Sequence, residues 1–245
     1  MHGRIRGSSG SRGAGPLSWR TTKEKELCAP LVHRGGQAVE PSVIMEALWP
    51  ESDGDKARTY LYTCISLLRK NLRSHDLPLS VDKIGNGYAL RLGTVRCDVN
   101  ELEELLDRTL KEQGLGLSRF ERLTALYKGD YLTDCDFRWG RMKREQLSGR
   151  YAEVLRRLCS FFKRNNLSAY AIECLHHVLA VAPDSEKDGR ELMRLYSEGG
   201  NRSEAIKVFK QLERDVKERL DIGLEEETVR LYEEIVSSSG GRRER

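Results

Sequence analysis

Apolar residues at intervals of three and four run through the middle of the first half: Ala57, Leu61, Cys64, Ile65, Leu68 and Leu72. At about 100° per residue they gather on one stripe, so the spacing predicts an amphipathic helix over 56–75. Asp55 is the expected N-cap, and neither Pro nor Gly interrupts the run before Pro78. The period then changes. Leu79 and Val81 alternate with Ser80 and Asp82, and Tyr88, Leu90 and Leu92 with Ala89 and Arg91, the pattern of half-buried strands. Gly85, Asn86 and Gly87 between them take positive φ cheaply, so 79–92 is predicted as a β-hairpin. Two shorter helices precede this pair. The first, 21–33, has Thr21 or Thr22 as cap and an apolar side of Leu27, Cys28, Leu31 and Val32. Pro30 is expected to kink or shorten it, and Gly35 and Gly36 end it. The second, 43–49, is opened by Glu40 or Ser42, turns Val43, Ile44, Ala47 and Leu48 inward, and stops at Pro50. Helix, helix, long helix, hairpin is the element order of a winged helix-turn-helix.

The second half repeats itself. Ala171, Ile172, Leu175, Val178 and Pro183 return 34 positions later as Ala205, Ile206, Phe209, Leu212 and Lys217, with Phe162 matched by Tyr196 and Asn166 by Gly200. A 34-residue period with small residues where helices cross is the tetratricopeptide pattern of two antiparallel helices per repeat. Chance likeness between amphipathic helices is the competing reading, because only two copies are clear and Lys217 breaks the second. The segments 146–164 and 226–236 are expected to flank the repeats as further helices. Phe137, Trp139 and Tyr131, just ahead of them, read as core anchors where two domains meet rather than as a ligand cage.

The polar face of the long helix carries the candidate chemistry. It holds Thr59, Tyr62, Thr63, Ser66, Lys70 and Arg73, with Arg58 and Arg69 along one edge, and between Lys56 and His75 there are five cations and no acid. A solvated helix normally mixes signs and gains i,i+4 pairs, so a one-sign face points to a polyanion. The hydroxyls lie toward the N-terminus, the end that reaches base edges in helix-turn-helix docking, and the cations toward phosphates. Lys83 and Asn86, in the hairpin, are placed to reach the neighbouring backbone or minor groove. The Gly-Asn-Gly-Tyr stretch as a phosphate cradle is the alternative, but such a loop opens onto a helix, and here a strand follows.

Composition narrows the classes. With 245 residues, 33% charged, the chain has room for one or two helix-rich domains, and its net charge of +4 hides a local concentration of cations on one helix. No apolar run approaches the roughly 18 to 20 residues of a membrane span, and 1–18, with Arg4, Arg6 and Arg12 among Gly and Ser, lacks the apolar core of a signal peptide. It reads as a disordered tail without a strand pattern. Cys28, Cys64, Cys97, Cys135, Cys159 and Cys174 form no CxxC pair and fall mostly at apolar helix positions, so reduced thiols and a cytoplasmic protein are expected. The adjacent His176 and His177 point to different sides of a helix, so no metal is expected, and no cofactor. There is no GxSxG, HExxH or P-loop, so no enzyme activity is expected.

Trp19 to Leu27, the glycine pair, IMEALWP, TYLYTCISLLRKNL and IGNGYAL together resemble the OmpR-type DNA-binding domain of bacterial transcriptional activators related to the antibiotic regulatory proteins. CDVNELEELL, ALYKGDYL, FRWGR and the helices that follow resemble the bacterial transcriptional activator domain of the same proteins. The resemblance implies a mainly α fold with a small β-hairpin: a winged helix-turn-helix at 19–97, then a tetratricopeptide-like domain at 98–236, between tails at 1–18 and 237–245. It also implies a small sheet ahead of the first helix and, in the response regulators of two-component systems, a receiver domain; 1–18 offers no pattern for either. The expected function is sequence-specific transcription regulation, as an activator. Helix 56–75 would read the major groove of double-stranded DNA and wing 79–92 would touch backbone, through Arg58, Thr59, Tyr62, Thr63, Ser66, Arg69, Lys70, Arg73, Lys83 and Asn86. RNA polymerase or a second copy on tandem sites are the partners the resemblance adds. The competing class is a tetratricopeptide-type interaction module whose winged helix binds protein, not DNA.

Overall fold

The computed structural model describes residues 5–7, 19–75, 78–93, 95–111, 114–132 and 137–238. The chain divides into two compact units, Met1–Leu105 with Thr124–Arg144, and Leu106–Leu123 with Glu145–Arg245. No described helix is long and apolar enough to cross a membrane.

In the first unit, α1 (Thr22–His33), α2 (Pro41–Leu48) and α3 (Gly54–Ser74) are followed by the antiparallel hairpin β2 (Ser80–Ile84) and β3 (Gly87–Arg91). The Thr21 hydroxyl caps α1 by accepting from the Glu24 amide at 3.1 Å, and the Glu24 carboxylate reaches back to the Arg20 amide. Pro30 does not shorten α1, contrary to expectation. The helix continues to His33 and the Arg34 amide closes on the Pro30 carbonyl, because burial of Leu27, Pro30 and Leu31 offsets the missing backbone donor. In α2 the expected inward Val43 is 44% exposed, and Ile44 and Leu48 alone are fully inward. Met45 and Ala47, partly buried, pack against the same core in its place.

The α3 stripe follows its periodicity: Ala57, Leu61, Cys64, Ile65, Leu68 and Leu72 are all buried. Its start differs, since Asp53 takes the N-cap position without a side-chain bond and Asp55 lies in the first turn as an exposed acid near the positive helix end. Leu61, Cys64, Ile65, Leu68 and Leu72 share one core with Leu27, Leu31, Val39, Ile44, Leu79, Val81, Tyr88, Leu90 and Phe137, with Trp139 and Leu132 packed against it. The aromatics expected at a domain junction thus sit inside the first unit. Trp139 stacks on Phe137 at 5.2 Å and lies 4.4 Å from the His33 ring.

A strand forms where none was expected. β1 (Ile5–Gly7) pairs antiparallel with β4 (Val95–Cys97), Ile5 opposite Cys97 and Gly7 opposite Val95. Three residues cannot display a period, and the partner lies far along the chain, so local pattern gives no sign of it. The rest of the expected tails, 1–4, 8–18 and 239–245, lies outside the described residues, as does Cys135; the other five cysteines are buried thiols outside any disulfide.

Three helices, α4 (Asp98–Lys111), α5 (Leu117–Leu126) and α6 (Arg138–Arg164), are divided between the units, after Leu105, Leu123 and Arg144 respectively. The second unit then continues with α7 (Ser168–Val181), α8 (Glu186–Glu198), α9 (Arg202–Leu220) and α10 (Glu226–Ser237). The 34-residue repeat is written into its backbone. Asn166 and Gly200 both take positive φ, +57° and +76°, and the bonds Leu167 N–H to Phe162 O and Asn201 N–H to Tyr196 O, 2.9 and 2.8 Å, are the same bond one repeat apart. Ala171 and Ala205 are fully buried at equivalent places. Pro183 follows the end of α7, whereas Lys217 in the same place lets α9 run on to Leu220.

Candidate nucleic-acid interface

The buried stripe of α3 fixes which residues face outward. Arg58, Thr59, Tyr62, Thr63, Ser66, Lys70 and Arg73 are exposed, Tyr62 to 55%. Among the described residues none of Arg58, Lys70, Arg73 and the wing's Lys83 forms an ion pair, so their charge is available to a ligand. The hydroxyls are less free than the sequence suggests. Thr59 donates to the Asp55 carbonyl and Thr63 to the Thr59 carbonyl, each at 3.0 Å, which leaves their oxygens as acceptors only.

The hairpin supplies the second wall. Its connection is Gly85–Asn86, of which Gly85 alone has positive φ, +58°. Gly87 serves a different need: a Cβ there would lie 2.8 Å from the Val39 carbonyl oxygen, because Val39 and Tyr88 exchange backbone hydrogen bonds at 2.8 and 2.9 Å. Lys83 and Asn86 are exposed. Ala89, expected to face outward, is fully buried, as is Leu90, and Tyr88 beside them is buried too.

Between α3 and the wing lies an open groove of about 480 Å³ lined by Tyr62, Ile65, Ser66, Arg69, Lys70, Arg73 and Tyr88. Five of the ten residues singled out in the sequence meet there. Arg58, Thr59 and Thr63 lie elsewhere on the exposed face of α3, and Lys83 and Asn86 on the wing. Arg69 is half-buried and donates its Nε–H to the Val81 carbonyl at 2.8 Å, so it is not the solvent-facing cation expected. Strand alternation marks Tyr88 only as an inward residue, yet it forms part of the groove. Burial pushes its phenol up, with nearby Tyr62 adding to this and Arg69 opposing it, so the hydroxyl stays protonated and able to donate. No group of three or more His, Cys, Asp or Glu side chains suited to a metal ion occurs among the described residues.

Residues 97–236 match the family described as bacterial transcriptional activator domain. Among solved structures, the fold is similar to that of Mycobacterium tuberculosis EmbR, determined in complex with a low-affinity phosphopeptide, at a TM-score of 0.59 and 20% identity. The match covers 91% of this chain and 61% of EmbR, so the chain spans less than two thirds of that protein. A putative kinesin light chain from Podosopora anserina with nearly identical TPR-like repeats aligns at 15% identity over 59% of this chain and 79% of its own, but its TM-score of 0.29 carries no weight. No curated protein matches the chain. The family match spans more than half of the sequence, and the chain belongs to the bacterial transcriptional activator domain family.

Proposed function

We propose that the chain is a sequence-specific DNA-binding activator that lays α3 in the major groove and sets the wing against the flanking backbone. The observation that carries this is the outer face of α3, where exposed cations without carboxylate partners line one wall of a groove that the wing closes. Lys70 and Arg73 take phosphates, Arg58 and Lys83 extend the positive track, and Asn86 at the wing tip reaches backbone or minor groove. Tyr62 and Ser66, with the acceptor oxygens and methyl groups of Thr59 and Thr63, face base edges. The repeats of the second unit serve contacts with a second copy on tandem sites or with RNA polymerase, the ordinary use of stacked helix pairs. The protein works by binding rather than catalysis.

The test is duplex affinity as a function of salt for the parent and for the Lys70→Ala plus Arg73→Ala double variant. Removing one cation from a phosphate lowers the slope of log K on log salt by about 0.9, so the double variant should bind more weakly with a slope smaller by about 1.8. An unaltered affinity and slope would remove DNA from the account and leave the interaction-module alternative.

A further inference from the structure

We propose that Arg69 is a positioning residue that ties the wing to α3, and not a phosphate contact; this rests on the DNA-binding function proposed above. The hairpin register shows why. Ile84 stands opposite Gly87 across the two-residue connection, followed by Lys83 with Tyr88, Asp82 with Ala89, and Val81 with Leu90. In an antiparallel pair, alternate couples exchange hydrogen bonds and the couples between them turn their backbone groups away from the partner strand. Counting from the bonded Ile84–Gly87 couple, Val81, Lys83, Tyr88 and Leu90 are the outward-facing ones. Tyr88 uses its outward amide and carbonyl on Val39, at 2.9 and 2.8 Å, on the β3 side of the hairpin. Val81, 4% exposed, turns its carbonyl out on the β2 side, and there the donor is Arg69 Nε at 2.8 Å.

The hairpin is therefore held from both edges, by backbone on one side and by one guanidinium on the other. A buried carbonyl needs a donor, and the one it has comes from α3 itself. That bond couples the orientation of the wing to the helix whose outer face holds Lys70 and Arg73. It also commits the guanidinium, because a planar group fixed through Nε has its plane set by the Val81 carbonyl rather than by an incoming phosphate.

Two substitutions separate the roles in the full chain. In Arg69→Gln, Nε2 is as many bonds from Cα as the Arg Nε, so a donor remains at the same place without the charge. Arg69→Met has similar length and neither property. Affinity for a random-sequence duplex is measured by fluorescence anisotropy over a salt series, and amide hydrogen exchange is followed at Asp82 and Ala89, which bond across the hairpin. A tether predicts that Gln stays within about twofold of the parent with an unchanged salt slope, while Met weakens binding about fivefold, the worth of one hydrogen bond of about 1 kcal/mol. It also predicts wing amides that exchange about fivefold faster in Met alone. A phosphate contact predicts instead that Gln and Met fall together with slopes lower by about 0.9, and that result overturns the proposal. Parent-like exchange in Met overturns it as well, without any DNA present. Should the parent itself fail to bind duplex, the proposed function falls and the exchange arm still decides the tether.

Discussion

Gly85 and Gly87 flank Asn86 and look interchangeable, yet replacing them with alanine should have unequal costs. At Gly85 the φ of +58° strains any L side chain, but nothing lies within 4 Å of the new Cβ. The penalty is the left-handed conformation alone, about 1 kcal/mol after the unfolded chain loses freedom too. At Gly87 the φ is ordinary and the obstacle is the fixed backbone of the 37–39 segment. The Cβ would stand 2.8 Å from the Val39 oxygen and 3.1 Å from the Ala38 Cβ, and neither belongs to a flexible side chain. Relief requires that segment to retreat, which lengthens both Val39–Tyr88 hydrogen bonds. Overpacking costs about 1–3 kcal/mol and two weakened bonds add about 1 kcal/mol, so Gly87→Ala should cost about 2–4 kcal/mol. All three tryptophans, Trp19, Trp49 and Trp139, belong to the first unit, so urea unfolding followed by tryptophan fluorescence isolates the winged unit from the helical one. Gly85→Ala as costly as Gly87→Ala, or Gly87→Ala under about 0.5 kcal/mol, would refute the reasoning from close approach.

Two further outcomes are expected. In the second unit the Arg156 guanidinium holds the buried Asp188 carboxylate through Nε and one terminal nitrogen at 2.8–3.1 Å, with Ser185 as a third donor. Arg156→Met strands that carboxylate. Because Arg156 is itself 42% exposed and Ser185 remains, the loss should be about 2 kcal/mol, less than for a fully buried pair, read as a lower urea midpoint in far-ultraviolet circular dichroism. A change below about 0.5 kcal/mol would show the pair to be worth no more than an ordinary surface bridge. In the first unit, burial against Trp139 lowers the His33 imidazole from its ordinary value of 6.5, helped by Lys143 and Arg34 and opposed by Glu103. The unfolded chain then binds the proton more readily than the folded one. His33 leaves stability untouched above about pH 6.5 and removes it as pH falls from there through the lower folded value. The parent should lose more tryptophan-detected stability between about pH 7.5 and about pH 5 than His33→Gln; an equal or smaller loss would assign the acid sensitivity elsewhere.

What is legible in the sequence is what repeats at short range. The α3 stripe, the hairpin and the 34-residue period each restate one constraint several times; the stripe and the period return as buried positions and repeated backbone bonds, and the hairpin as its strand register, although β3 is buried on both faces at Tyr88, Ala89 and Leu90. Features that depend on a single distant partner are not legible. β1 has three residues and finds β4 across the whole winged unit. Gly87 answers to Val39, not to its own φ. On a helical projection Arg69 is an edge cation like Arg58, and only the strand register reveals the carbonyl it meets. The candidate interface residues divide the same way. Their exposure follows from periodicity, whereas the groove that gathers Tyr62, Ser66, Arg69, Lys70 and Arg73 beside Tyr88 depends on where the wing comes to rest.

The distribution of ion pairs points to a polyanion independently of any motif. In the second unit basic side chains find carboxylates: Arg156 with Asp188, Lys163 with Glu191, Arg190 with Glu225 and Glu227, Lys207 with Glu204, Arg230 with Glu226. The last two, at i,i+3 and i,i+4, are the default for an exposed helix, and the others join neighbouring helices. On α3 the default is inverted. Lys70 and Arg73, and Arg69 and Arg73, stand as like charges three and four residues apart, an arrangement that costs a few tenths of a kcal/mol each in the free protein. With a net charge of only +4 over 245 residues, the excess is not spread as a general aid to solubility. It sits on one face, beside the groove that Tyr62 and Tyr88 help to line, where a polyanion that supplies the missing counter-charges would convert self-repulsion into binding.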